Sequence, residues 1–96
     1  RQWRTWARDV IAGMGLEVPE SHGNFLLIRF PEQPGRNAEA ADTWLKSRGY
    51  IARRVASYGL ADRLRVTIGL EAEMRGFVSV LAEFIAREEA AAEAAG

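Results

Sequence analysis

The chain has 96 residues, of which 48% are hydrophobic and 27% charged; this is the composition of one small globular unit and excludes a disordered or fibrous segment. Thirteen basic residues balance thirteen acidic ones, so no overall field draws the chain to nucleic acid or to an anionic membrane, and any anion site must be local. With no cysteine and a single histidine, His22, a disulfide framework and a thiolate metal site are ruled out, and a cytoplasmic location is expected.

Apolar residues at Trp3, Trp6, Ala7, Val10, Ile11 and Met14 recur at spacings of three and four, which predicts a helix over residues 1–14. Gly13 and Gly15 supply its stop. Leu16-Glu17-Val18 is a short strand candidate, followed by a turn at Pro19 and Ser21. Phe25 to Phe30 is a nearly continuous apolar run bounded by Gly23-Asn24 and Pro31, the pattern of a strand covered on both faces. After a loop from Pro31 to Gly35, Asn37 is a candidate N-cap for a second helix, with Glu39 in the first turn, Lys46 and Arg48 near the end and Gly49 as the stop.

Tyr50 to Arg53 reads as a short strand, residues 55–62 as a loop around Tyr58-Gly59, and Arg63 to Ile68 as a strand whose Leu64, Val66 and Ile68 share one face. Glu71 and Glu73 open a last helix with a stripe at Met74, Phe77, Val78, Leu81 and Ile85; residues 87–96 are expected to extend that helix and fray. The order helix, strand, strand, helix, strand, strand, helix predicts an α+β fold, a two-layer sandwich with a small, mainly antiparallel sheet and helices packed on one face. Residues 1–96 are expected to form a single domain. Because the sequence opens at Arg1 inside a helical pattern, the chain is expected to be a C-terminal piece of something longer. No apolar stretch approaches the ~20 residues of a membrane span.

Twelve of the thirteen basic residues are arginine, and four of them, Arg53, Arg54, Arg63 and Arg65, flank one loop. A hairpin would bring all four to one end of the sheet. Guanidinium groups bind carboxylate and phosphate through two parallel hydrogen bonds, so a small dianionic or zwitterionic ligand suits such a cluster. The simpler alternative is surface pairing with Glu17, Glu20 or Asp62. Strand alternation places Arg65 and Thr67 on the face away from Leu64 and Val66, and Arg65, mid-strand, calls for an anionic partner. Lys46 is the only lysine; its place in the last turn of a helix marks a solvated cation rather than an amine nucleophile. His22 and Asn24 read as turn residues, and Trp3, Trp6 and Trp44 as packing residues. No phosphate-cradling glycine loop, metal-ligand cluster or nucleophile and base pair is present.

Asn24-Phe25 opening a strand, Gly49-Tyr50-Ile51-Ala52-Arg53, Tyr58-Gly59-Leu60, and Leu64-Arg65-Val66-Thr67-Ile68-Gly69 ahead of Glu71 and Glu73 occur here in one order. This set resembles the C-terminal domain of the histidinol-phosphate aminotransferase family, fold-type I enzymes dependent on pyridoxal phosphate. The resemblance implies that Arg65 receives the α-carboxylate of an amino-acid substrate, that Arg53 lies near its phosphate or side chain, and that Asn24 and Tyr58 line the site. Arg54 stands where the family commonly has proline. The cofactor lysine belongs to the large N-terminal domain, so pyridoxal phosphate is expected in the full-length, homodimeric enzyme but not on this chain, which alone is expected to be inactive. Enzymes acting on aromatic amino acids share these motifs, and a free-standing module that binds a small anion is the alternative.

Overall fold

A computed structural model describes residues 2–19, 25–55, 60–67 and 69–95. The opening periodicity is realised as helix α1, Gln2–Gly13, with Ala7 and Ile11 fully buried. Gly15 ends the turn that follows with φ of +93°, a left-handed conformation that only glycine adopts without strain. Leu16 and Val18 are then buried, but the expected strand reduces to one bridge between Glu17 and Arg29.

Strand β1 is Phe25–Arg29, helix α2 Ala38–Ser47, strand β2 Arg53–Val55, strand β3 Leu60–Thr67 and helix α3 Glu71–Ala95. The sheet order is β1-β3-β2, antiparallel throughout, so the expected α+β sandwich is formed with three strands. Asn37 caps α2, its Oδ1 accepting from the Ala40 N–H at 2.9 Å. Glu73 does the same for α3 by accepting from the Leu70 N–H at 3.1 Å.

Strand boundaries differ from the sequence reading. Tyr50 still belongs to the end of α2, donating its N–H to the Leu45 carbonyl at 2.9 Å after Gly49 at φ +86°, and Ile51 is 83% exposed; pairing therefore starts only at Arg53. The loop expected over residues 55–62 is shorter at both ends, because Val55 pairs with Leu60 across a register shift and Asp62 accepts from the Phe30 N–H at 2.8 Å. Ile68 lies outside the described residues. The tail continues as helix to Ala95, as expected of its Ala and Glu content.

Leu26, Ile28 and Phe30 meet Leu64 and Val66 on the face covered by the three helices, where Ala41, Leu45, Met74, Phe77 and Leu81 complete the core. Full burial of each large apolar side chain stabilises by about 1.5–3 kcal/mol. Phe84, absent from the predicted stripe, is 2% exposed and packs against Phe30 at 6.4 Å and Trp44 at 6.2 Å between ring centroids. Trp44 packs as expected, its indole N–H donating to the Val80 carbonyl at 3.0 Å and tying α2 to α3. The Tyr50 hydroxyl sits where a Cβ on Gly76 would be, so this glycine is the notch that lets β2's approach pack on α3.

Candidate functional site

Among the described residues no helix lies over the second face of the sheet. Antiparallel register places Phe25 opposite Thr67, Leu27 opposite Arg65 and Arg29 opposite Arg63, while Arg53 on β2 lies directly opposite Arg65. Residues paired in this way project to the same side, so three adjacent strands deliver Arg29, Arg63, Arg65 and Arg53 to one surface. The strand β1 is thus not covered on both faces: Leu26 and Ile28 are buried, whereas Phe25 and Leu27 are only half-buried. Its apolar run reflects residues that share this surface with the arginines rather than a second layer of structure.

The arginines divide into two groups. Arg29 is held by two carboxylates: its Nε donates to Asp62 Oδ2 at 2.7 Å, and its Nη1 to Glu17 Oε1 at 3.0 Å. Hydrogen bonds first to Glu17 and then to Asp62 push its guanidinium above its ordinary, already high value. Arg63 is half-buried beside the same aspartate, Nε to Oδ1 at 3.8 Å, too long for a hydrogen bond. Of the carboxylates expected to neutralise the cluster, Glu17 and Asp62 hold Arg29 at one end of the sheet, Asp62 also standing beside Arg63, and Glu20 lies outside the described residues.

Arg53, Arg54 and Arg65 form no ion pair with any described carboxylate. Arg54 faces Leu64 across the ladder and leaves the surface shared by Arg53 and Arg65, because it sits one residue out of phase on the edge strand. Arg65 is exposed rather than enclosed by buried neighbours, and it is not a lone charge: Arg53 is its direct cross-strand partner. Like charges directly opposite each other repel, and an anion bridging both removes that repulsion. What the arrangement offers chemically is a pair of adjacent, water-accessible guanidinium groups whose donors form no hydrogen bond with the described residues.

Of the remaining predicted site residues, Asn24 and Tyr58 lie outside the described residues, as does His22. Lys46 is a solvated helix-end cation as expected, its Nζ 3.1 Å from Asp42 Oδ2. A cleft of about 450 Å³ lined by Leu16, Glu17, Arg29, Asp62, Phe84 and Glu88 includes neither Arg53 nor Arg65. Among the described residues no cluster of His, Cys, Asp or Glu could hold a metal ion, and no helix is long and apolar enough to cross a membrane. Sequence reasoning missed Phe25, whose ring lies 4.6 Å from the Arg65 guanidinium carbon. The available signal was register: a residue two positions beyond the partner of Arg65 is its diagonal neighbour.

No protein-family model matches the chain. Curated relatives do: it is 44% identical over 86 residues to histidinol-phosphate aminotransferase 1 of Caulobacter vibrioides, covering 90% of this chain and 24% of the relative. It is 48% identical over 84 residues to the histidinol-phosphate aminotransferase of Maricaulis maris, covering 88% of this chain and 23% of that protein. The enzyme of the same name from Rhodospirillum rubrum is 46% identical over 86 residues. A crystal structure of a candidate aminotransferase from Burkholderia pseudomallei superposes with a TM-score of 0.76 at 28% identity, covering 88% of this chain and 24% of that one. The chain thus spans about a quarter of the length of the relatives it matches, and over that quarter it is a homologue of histidinol-phosphate aminotransferases.

Aminotransferases of this kind carry pyridoxal phosphate, whose chemistry requires an amine at the cofactor. The residues of this chain do not fit that group. Its only lysine, Lys46, is paired with Asp42 on α2, and α2 packs on the sheet face opposite to Arg53 and Arg65.

Proposed function

From this homology we propose that residues 1–96 are the small C-terminal domain of a cytoplasmic, homodimeric, pyridoxal phosphate-dependent aminotransferase, and that the domain's share of the work is to grip the substrate. The reading assigns the parent enzyme amino transfer between histidinol phosphate and 2-oxoglutarate, with its own large domain as partner and source of the cofactor lysine. The observation that carries the site assignment is the position of Arg65: mid-strand, exposed, adjacent to Arg53 and without a carboxylate partner among the described residues.

Arg65 binds a substrate carboxylate by two parallel N–H···O bonds, which fixes the direction from which the amino acid presents its Cα. Arg53, one strand spacing away, takes the phosphate or side-chain anion; the further substrate contacts that the resemblance implies are Asn24 and Tyr58, which lie outside the described residues. A rigid sheet carrying both cations holds the substrate's two ends in a set orientation, and orientation settled before reaction lowers the barrier. Supplying only this grip, the isolated chain transfers no amino group.

The test is steady-state kinetics of Arg65→Ala and Arg65→Lys in the full-length enzyme. Two charge-assisted hydrogen bonds are worth enough that Arg65→Ala lowers kcat/KM for the amino-acid substrate by about a hundredfold or more. Arg65→Lys recovers part of this, since it keeps the charge and loses the fork geometry. Unchanged kinetics in both variants would show that Arg65 has another role.

A further inference from the structure

The assignment of Arg65 leaves its neighbour Phe25 without a function. Phe25 opens β1 opposite Thr67 and so lies diagonally across the ladder from Arg65, on the same surface and half-buried. Its ring centroid is 4.6 Å from the Arg65 guanidinium carbon, within range of a cation–π contact.

This contact differs in kind from the one that holds Arg29. Two carboxylates fix Arg29, and in doing so they occupy its Nε and Nη1 donors and neutralise its charge. An aromatic ring restrains a guanidinium through its face and leaves the N–H donors, which lie in the guanidinium plane, free to meet a ligand. A long arginine side chain otherwise loses much of its rotamer entropy when it is ordered by its ligand. A ring that orders it beforehand removes part of that cost from the binding step.

We propose that Phe25 is a positioning residue for Arg65, holding its guanidinium in the orientation that receives the substrate carboxylate while leaving its charge and donors available. The inference rests on the reading that Arg65 binds that carboxylate. It assigns to one sheet two ways of holding an arginine: by acid where the residue is structural, by aromatic ring where it must bind.

The experiment is steady-state kinetics of the full-length enzyme carrying Phe25→Leu, Phe25→Tyr, Arg65→Ala, and Phe25→Leu together with Arg65→Ala; Phe25→Met replaces the leucine variant if that protein does not fold. Phe25→Leu raises KM for the amino-acid substrate roughly three- to thirtyfold with little change in kcat, as expected for loss of a cation–π contact. Phe25→Tyr, which keeps the ring, stays near the parent enzyme. In the Arg65→Ala background Phe25→Leu loses most of its effect on KM, because its influence on substrate binding runs through Arg65. The inference is overturned if Arg65→Ala is damaging while Phe25→Leu leaves KM unchanged, or if Phe25→Leu costs as much without Arg65 as with it. If Arg65→Ala is itself harmless, the reading beneath the inference fails, a result that these outcomes keep distinct.

Discussion

Leu64 and Arg65 are consecutive residues of β3, yet they serve opposite surfaces of the sheet. On the Leu64 side, three helices exclude water from Leu26, Ile28, Leu64 and Val66. On the Arg65 side the same strands carry four arginines, two of them without carboxylate partners among the described residues. The comparison separates stability from binding. The first surface stabilises the fold through burial, whereas the second spends some of that stability to keep adjacent cations unneutralised.

The largest expected effect is a test of that separation by adjacent substitutions. Leu64→Ala removes a fully buried side chain and costs about 2–5 kcal/mol, read as a lower midpoint in urea. Arg65→Ala, one residue on, changes stability by no more than about 0.5 kcal/mol while abolishing most substrate use. Comparable losses of stability from both would mean that the open surface is part of the core after all.

A smaller effect is expected on the covered side at Gly76. Alanine there gains helix propensity, but its Cβ collides with the hydroxyl of Tyr50, whose ring is packed edge-on against Phe77 at 6.1 Å. Overpacking outweighs propensity, so Gly76→Ala is destabilising by about 1 kcal/mol, and in a Tyr50→Phe background the loss disappears. Thermal melts of the two singles and the double measure the coupling.

The smallest effect belongs to the open surface. Arg53→Ser removes a cation directly opposite Arg65 and raises stability by up to about 0.5 kcal/mol at low salt. High salt screens the same repulsion and erases the gain. A loss of stability instead would show that Arg53 makes a favourable contact within the fold.

Much of the helical structure was legible in the sequence. Asn37, Gly49 and the Glu71/Glu73 pair mark helix ends by local hydrogen bonding and backbone conformation, which depend on residues within one turn. The alternation Leu64-Arg65-Val66-Thr67 likewise specified which residues face the core. Strand limits were not legible, since they depend on which partner is in reach. Tyr50 remains bonded to the end of α2, and Asp62 is drawn into β3 by pairing with β1.

For the candidate site, the sequence by itself determined that arginines cluster around one segment and that Arg65 points away from the core. Only the tertiary structure decided how those charges are divided. Register brings Glu17 and Asp62, 45 residues apart in the chain, onto Arg29 and sets Arg53 and Phe25 beside Arg65. Electrostatic and aromatic contacts act over a few ångströms, and which groups come that close is fixed by strand pairing between distant segments rather than by local spacing.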